Sequence, residues 1–143
     1  MATFLERIQR GEFPLPPVAR TIGFELAAVE RGRATFTLVT DPARHANPMG
    51  TIHGGVLCDV ADAAMGMAYA STLGEGESFT TLELKTSFLR PVWHATLTAV
   101  GEVVQRGRTV GLVECRVTDE RGRLVAHATS TCLTLTGDQA AGR

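Results

Sequence analysis

The sequence has little of what several protein classes require. Aromatic residues make up 6% of its 143 residues, and 14 Lys and Arg against 15 Asp and Glu give a net charge of −1. Proteins that bind nucleic acid need a basic surface and aromatic side chains on which bases stack. A nucleic-acid partner is therefore not expected.

Long apolar runs are absent as well. No segment has the roughly 20 consecutive apolar residues of a membrane-spanning helix, and Glu6, Arg7 and Arg10 interrupt the stretch where a signal peptide needs an apolar core. With 44% hydrophobic and 20% charged residues, the composition is typical of a soluble globular protein. We expect one domain over residues 1–143, located in the cytoplasm, without membrane contact.

Cysteine is sparse and is not arranged for metal binding. Cys58, Cys115 and Cys132 are odd in number, have no CxxC spacing and lie among apolar neighbours. This pattern favours buried, reduced thiols over disulfides or a zinc site. No metal site is predicted.

The sequence does contain a regular series of strand signals. Period-2 alternation, separated by turn residues, predicts six strands at residues 24–30, 33–38, 80–89, 95–105, 109–118 and 123–135. Their short connections favour antiparallel neighbours. A short amphipathic helix is expected at about residues 3–10, followed by an extended proline-containing segment, and a disordered tail is expected at about 137–143.

A single long helix is predicted in the middle of the chain. Residues 51–73 are rich in Ala and Met, are apolar on nearly every face except at Asp59 and Asp62, and are followed by Gly74. We therefore expect a buried central helix. Six antiparallel strands and one such helix indicate an α+β fold in which the sheet curls around the helix.

The start of this helix is unusual because Gly54 and Gly55 follow His53 directly. Glycine destabilises a helix by roughly 1 kcal/mol relative to Ala, so a close approach by another group is expected here. First-turn N–H groups have no intrahelical acceptor, and the helix dipole makes this end partly positive. The pattern predicts a site for a negatively charged ligand oxygen, similar to an oxyanion hole.

Asp62 is the second candidate for chemistry. A carboxylate in a segment predicted to be buried must be paired, protonated or functional. On a helical projection it shares a stripe with small or amphipathic residues: Gly55, Cys58, Gly66 and Tyr69. Asp59 is the weaker candidate, because an acid in the first turn simply favours the helix dipole.

The spacing of these two candidates has a consequence for assembly. At about 1.5 Å rise per residue, Gly54 and Asp62 are roughly 12 Å apart along one helix, which is too far to hold the same reacting group. If both act on one carbonyl, a second copy must lie antiparallel alongside. A two-fold dimer satisfies this requirement.

Three segments resemble those of a known family. The motif NPMGTIHGG at residues 47–55, with Asp62 after six further residues, TTLELKTSFLRP at 80–91 and QRGRT at 105–109 resemble the hotdog-fold acyl-CoA thioesterases of the PaaI-like, phenylacetate-pathway group. The resemblance covers roughly residues 18–135. It implies a curled antiparallel sheet around one helix, and hydrolysis of an acyl-CoA to a free acid and coenzyme A.

The resemblance also implies roles for the catalytic residues. Asp62 would act as general base or as nucleophile, and the Gly54 amide would polarise the thioester carbonyl. Asn47 and His53 would orient the loop and the reacting group, although Asn before Pro is ordinarily just a turn residue. Thr81 would help to place the water or the carboxylate, or it is an ordinary strand residue.

Coenzyme A contacts follow from the same resemblance, which implies no cofactor beyond the substrate itself. The candidates for substrate and coenzyme A binding are Gly55, Arg90, Arg106, Gly107, Arg108 and Thr109. The arginines could instead be solvated turn charges. The family also implies a homodimer with sites shared between chains, and pairing of dimers into a homotetramer.

Some alternatives stay open. The acyl group could be aryl-acetyl or of medium length, and Met65, Met67 and Tyr69 hint at its pocket, although a Met-rich helix is more often core. A non-catalytic acyl-CoA-binding protein is the main alternative function. A hotdog enoyl-CoA hydratase is weaker, since the chain lacks the Asp and His of a D-x-N-P-x-H pattern. No partner is identified for His45, His94 or His127.

Overall fold

The computed structural model describes residues 3–143. Six strands form one antiparallel sheet in the order β1-β2-β4-β5-β6-β3. The strands are β1 Phe24–Glu30, β2 Arg33–Val39, β3 Ser78–Phe88, β4 Thr96–Arg106, β5 Val110–Thr118 and β6 Leu124–Leu135. The predicted α+β arrangement is confirmed, and each strand lies within about two residues of its expected bounds.

The helices are α1 Phe4–Gln9, α2 Pro17–Ile22, α3 Pro42–His45 and α4 Gly54–Ala70, and a 3₁₀ helix covers Gly137–Ala140. α4 packs against all six strands, so the sheet curves around it. Inward-facing strand residues such as Val113, Cys115 and Val117 are fully buried beneath it. Among residues 3–143, no helix combines the length and hydrophobicity needed to cross a bilayer.

The backbones of the helix and the sheet approach each other closely at Gly101 in β4. A Cβ atom there would overlap the carbonyl oxygen of Ala64 and would lie 2.8 Å from the amide nitrogen of Met65. The backbone of α4 therefore rests directly on the sheet at this point, which only glycine permits. This contact fixes the depth at which α4 is seated.

Two helical predictions need correction. The extended segment expected after residue 10 contains α2, because Pro17 occupies the first turn of a helix, where its fixed φ is favourable, and Gly23 ends it at φ +97°. The central helix begins at Gly54 rather than at residue 51, since His53 is its N-cap. It ends at Ala70, before the expected stop at Gly74.

The position of β3 is also corrected. The short connection to β4 predicted that these strands would be neighbours, but β3 pairs with β6 at the sheet edge. The connection instead crosses the end of the sheet, where the amides of Leu89 and Arg90 donate to the carbonyl of Val125 at 2.9 and 3.2 Å. One backbone edge of β3 is consequently unpaired within residues 3–143.

The C-terminal tail has more local structure than expected. Instead of being wholly irregular, it contains the 3₁₀ turn, in which the Gln139 amide donates to the carbonyl of Thr136 at 3.2 Å. Short-range hydrogen bonds of this kind need no packing against the core.

Candidate active site

α4 has one covered and one open face. Its apolar residues pack on the sheet, whereas Gly55 and Asp62 are exposed and Asp59 is half-buried. Asp62 was predicted to lie in a buried segment, and this is wrong for the single chain. The sheet covers only one side of the helix, so the stripe containing Asp62 stays open.

The environment of Asp62 disfavours its charged form. The protein groups around the carboxylate displace part of its hydration and raise its pKa, and the negative charge of Asp59 raises it further. Burial also raises the pKa of Asp59. A carboxylate with a raised pKa is a stronger base once ionised, and this is a property of catalytic acids and bases.

The N–H of Gly54, at the helix start, is a free backbone donor. His53 caps α4 because its Nδ1 accepts the Gly55 N–H at 2.8 Å, and its carbonyl accepts the Val56 N–H at 3.0 Å. The Gly54 N–H has no acceptor within residues 3–143. An unpaired N–H at the positive end of a helix is suited to bind an oxygen that gains negative charge.

Both glycines face the protein's own side chains. A Cβ at Gly54 would lie 2.7 Å from Cζ of the Phe88 ring, and a Cβ at Gly55 would lie 2.8 Å from Nδ1 of His53. The sequence predicted that an incoming ligand required these glycines. The contacts in the structure explain both of them without a ligand, and the missing side chains still leave the Gly54 amide accessible.

Asn47 organises the loop before α4. Its Nδ2 donates to Oγ1 of Thr51 at 2.7 Å, and its Oδ1 accepts the Met49 N–H at 2.9 Å. These contacts define the turn role that is ordinary for Asn before Pro. Asn47 is half-buried, and its hydrogen bond to Thr51 holds its amide within the loop that precedes α4.

His45 supports the same loop and was missed from the sequence. It is 3% exposed. Its Nδ1 accepts the Asp41 N–H at 3.0 Å, so Nε2 carries the proton donated to the Ile22 carbonyl at 2.7 Å. Its own carbonyl accepts the His53 N–H at 2.8 Å. The available signal was Asp41-Pro42, an N-cap followed by a first-turn proline, which predicts the short helix α3.

α4 and β3 run side by side and form what we call the α4–β3 seam, defined by three contacts. The Gly54 backbone lies against the Phe88 ring, the Cys58 thiol donates to Oγ1 of Thr86 at 3.4 Å, and Gly66 lies against the Phe79 ring. Helix numbers rise as strand numbers fall, so the two elements are antiparallel. Asp62 therefore lies midway along this seam.

β3 is irregular at the level of Asp62. A bulge between Thr81 and Glu83 interrupts its pairing with β6, and Leu82 between them is exposed. Bulges redirect side chains and occur often beside active sites. Oγ1 of Thr81 lies 3.9 Å from Sγ of Cys132. Burial is the main cause of the raised pKa of Cys132, and the Asp62 charge raises it further.

The predicted coenzyme A arginines differ in their surroundings. Arg106 lies over the Tyr69 ring and donates to Oγ1 of Thr72 at 3.1 Å and to Oε2 of Glu77 at 3.3 Å. Its guanidinium is thus occupied by contacts within the chain. Arg108 and Arg90 are exposed. Gly107 and Thr109 flank Arg108 in the β4–β5 turn.

That turn adjoins the C-terminal end of α4, because Arg106 contacts Tyr69 and Thr72. Arg90 follows Phe88, which contacts the N-terminal end of the same helix at Gly54. One chain therefore does not bring all the predicted coenzyme A contacts together.

The prediction of buried thiols is confirmed for two cysteines and wrong for the third. Cys115 and Cys132 are buried thiols, and burial raises the pKa of Cys115 to about 12, but Cys58 is only half-buried. Met65 and Tyr69 are fully buried core residues, not members of an open pocket.

The remaining histidine interpretations also change. His45 has the partners described above, and Nε2 of His127 lies 3.6 Å from Oε2 of Glu114. The contacts of His45 with Ile22 and of His127 with Glu114 join residues that are far apart in sequence, so the sequence alone does not identify these partners.

Comparison with known proteins identifies the family. A family model described as "Thioesterase superfamily" matches residues 49–126. A 1,4-dihydroxy-2-naphthoyl-CoA hydrolase of Listeria monocytogenes is 30% identical over 111 residues, which cover 78% of this chain and 89% of the relative.

Solved structures agree with this match. A phenylacetic acid degradation-related protein of Ralstonia eutropha JMP134 has a TM-score of 0.82 at 37% identity, covering 92% of this chain and 99% of the other. The Escherichia coli PaaI protein has the same fold, with a TM-score of 0.84 at 22% identity over 94% and 95% of the two chains.

The fold and its neighbours define a hotdog-fold protein, as the PaaI-like resemblance implied. The chain belongs to the thioesterase superfamily and is a thioester hydrolase.

Proposed function

We propose that this protein hydrolyses an acyl-CoA to the free acid and coenzyme A, in the cytoplasm and without a further cofactor. The observation that carries the proposal is the exposed Asp62, with its raised pKa, on the same open helix face that begins at the free Gly54 N–H. The relative in Listeria monocytogenes, a 1,4-dihydroxy-2-naphthoyl-CoA hydrolase, supports a coenzyme A thioester as substrate.

The reaction follows from these two groups. The Asp62 carboxylate takes a proton from a water molecule whose oxygen attacks the thioester carbon, or it attacks that carbon itself and forms an anhydride that a water molecule then hydrolyses to the free acid and the carboxylate. The carbonyl oxygen gains negative charge and accepts the Gly54 N–H. The C–S bond then breaks, and the departing thiolate takes up a proton. Asn47 and His53 hold the loop that presents the amide, and Thr81 on β3 would help to place the water or the carboxylate.

Two copies of the chain are needed to assemble this site. Gly54 and Asp62 lie eight residues apart on α4, a separation of about 12 Å along the helix. The open face of α4 and the unpaired edge of β3 are next to each other, and an unpaired strand edge favours pairing with another chain. An antiparallel homodimer would bring Asp62 of one chain to Gly54 of the partner subunit. Pairing of such dimers would give the homotetramer.

The same dimer would assemble the coenzyme A contacts. Arg90 lies toward the N-terminal end of α4, and the turn with Gly107, Arg108 and Thr109 lies at the C-terminal end. In an antiparallel pair the two ends meet. Arg90 would then share the nucleotide end of the substrate with Arg108 of the partner subunit. Gly55 would leave space for the thioester, and Arg106 would hold the turn in place.

The test is an assay of free thiol release from acyl-CoA with the wild type, Asp62→Asn and the matched control Asp59→Asn. Asp62→Asn keeps the side-chain shape but removes the base, so kcat should fall about 10²- to 10⁴-fold. Asp59→Asn removes the neighbouring charge one turn earlier and should retain most of the activity. Retention of more than half of kcat in Asp62→Asn would refute the assignment.

A further inference from the structure

Of the four histidines, all of which lie within residues 3–143, His45 alone is buried. A polar ring taken out of water destabilises a fold unless its nitrogens are paired. Both nitrogens of His45 are paired, since Nδ1 accepts the Asp41 N–H at 3.0 Å and Nε2 donates to the Ile22 carbonyl at 2.7 Å. The ring is therefore held in one orientation and one tautomer.

The partner of Nε2 belongs to a firmly packed part of the molecule. Ile22 is the last residue of α2, and its neighbours Ala19 and Phe24 are both buried. The preceding carbonyl, that of Thr21, accepts a hydrogen bond from Nη2 of Arg44 at 2.6 Å. Two consecutive carbonyls at the end of α2 thus hold two consecutive side chains of α3, so that α3 is fixed to the core.

The backbone of His45 is connected directly to the start of α4. Its carbonyl accepts the His53 N–H at 2.8 Å, and the next pair inward, Ala46 and Ile52, forms an antiparallel bridge. The segment between the two histidines is therefore a turn whose base is the bond that joins them. Because His53 is the N-cap, its φ of −60° and ψ of 136° set the direction in which the Gly54 N–H points.

This turn, residues 46–52, has one further attachment to the rest of the molecule. The Ile52 N–H donates to the carbonyl of Val92, a buried residue in the β3–β4 connection, at 2.8 Å. The hydrogen bonds of the Asn47 side chain lie within the turn, so they fix its shape but not its position. The position of the turn depends on the contact at Ile52 and on the link to α2 through His45.

We propose that His45 is a positioning residue for the hydrolysis, because its ring places the turn and His53 so that the Gly54 N–H points at the thioester oxygen. This inference rests on the role proposed above for the Gly54 amide. The ring lies between α2 and α3 and acts through the backbone of His53. An oxyanion donor contributes most in the transition state. Loss of its alignment should therefore lower kcat and leave KM nearly unchanged.

The experiment measures kcat and KM for thiol release in the wild type, His45→Ala and His45→Gln. Complete removal of an oxyanion-hole donor lowers kcat about 10²- to 10³-fold. A misaligned Gly54 amide in His45→Ala should lower it about 10- to 100-fold, with KM within about threefold of wild type. His45→Gln keeps an N–H near the position of Nε2 and should recover most of the lost kcat. If His45→Ala does not fold, His45→Asn, which lacks a donor to Ile22, takes its place.

Two controls separate positioning from a general loss of stability. Val117→Ala truncates a fully buried side chain on β5, and His127→Ala makes the same substitution at a half-buried histidine that lies beside Glu114. Assayed below the melting temperatures of all variants, both should retain wild-type kcat. A loss of kcat in Val117→Ala as large as in His45→Ala would overturn the inference. Wild-type kcat in His45→Ala, or an effect confined to KM, would also overturn it.

A measurement without substrate distinguishes this inference from the proposed function. In proton–nitrogen correlation spectra of protein labelled at its glycine nitrogens, the Gly54 amide resonance should move in His45→Ala and return toward its wild-type position in His45→Gln. The resonance of Gly101, beneath α4, should stay in place in both variants. An unmoved Gly54 resonance in His45→Ala would show that the ring does not place this amide. If the wild type releases no thiol, the proposed function is wrong.

Discussion

The two faces of α4 show a division between stability and chemistry. The face toward the sheet carries Val60, Ala61, Ala64 and Ala68, all fully buried, and small side chains let the helix sit close to β4. The opposite face is open and carries Asp62 in a partly desolvated position. The first face stabilises the fold by burial, and the second retains a carboxylate whose charged form is disfavoured. One helix thus serves both purposes because its two sides have different neighbours.

The largest expected effect is on activity, and it concerns the open face of α4, which a second copy of the chain should cover. Asp62→Ala and Asn47→Ala homodimers should both be nearly inactive. Co-refolding them should restore activity, because one site of each mixed dimer carries both lesions and the other carries none. With random exchange, roughly half the dimers are mixed and half of their sites intact, so about a quarter of wild-type activity should return.

Thiol release before and after joint unfolding and refolding measures this recovery. Each variant refolded alone is the control, and mass spectrometry establishes that mixed dimers have formed. An absence of recovery in the presence of mixed dimers would mean that each site is built within one chain.

The covered face can be disturbed by a single methyl group. Gly101→Ala should lower the free energy of unfolding by about 1–3 kcal/mol, because its Cβ overlaps the backbone of α4 at Ala64. The matched substitution on the other side is Gly66→Ala, where the added Cβ meets only a ring at 3.4 Å.

Chemical denaturation measures the free energies of unfolding of Gly101→Ala and Gly66→Ala. Gly66→Ala should be neutral or stabilising, because Ala favours a helix over Gly by about 1 kcal/mol. Equal destabilisation by the two substitutions would show that the two faces are packed alike.

The smallest effect is the pH dependence of Asp62. Its pKa is raised in the folded protein, so the protonated form is favoured there and wild-type stability falls as pH rises through that pKa. Asp62→Asn has no such charge and should melt at a higher temperature than wild type at pH 7, with the difference shrinking in acid. Wild-type kcat should change in the opposite sense and decline as the carboxylate is protonated.

Thermal melts at pH 4 and pH 7 test whether wild-type stability falls as the pH rises. A kcat profile over the same range tests whether activity rises. A lower melting temperature for Asp62→Asn at neutral pH would indicate that the carboxylate makes a stabilising contact in the folded protein.

Much of the fold could be predicted because its signals are local. Alternating residues and turn residues indicate the strands, as at Arg33–Val39, where buried and exposed positions alternate. Neither α2 nor the placement of β3 could be predicted from the sequence, and the physical reasons differ. A proline is compatible with both an extended segment and a first helical turn. The length of a connection does not determine which strands of the sheet become neighbours.

By itself, the sequence determined the six strands and the central helix, their order along the chain, and the residues Gly54 and His53 that distinguish the start of this helix from an ordinary one. Periodicity and capping are properties of neighbouring residues, so they can be read without tertiary information. Only the tertiary structure decided that Asp62 is exposed, that Arg106 is held by Tyr69, Thr72 and Glu77, and that His45 supports the loop. Exposure and pairing depend on which distant segments lie against a side chain, and a helical projection contains no information about them.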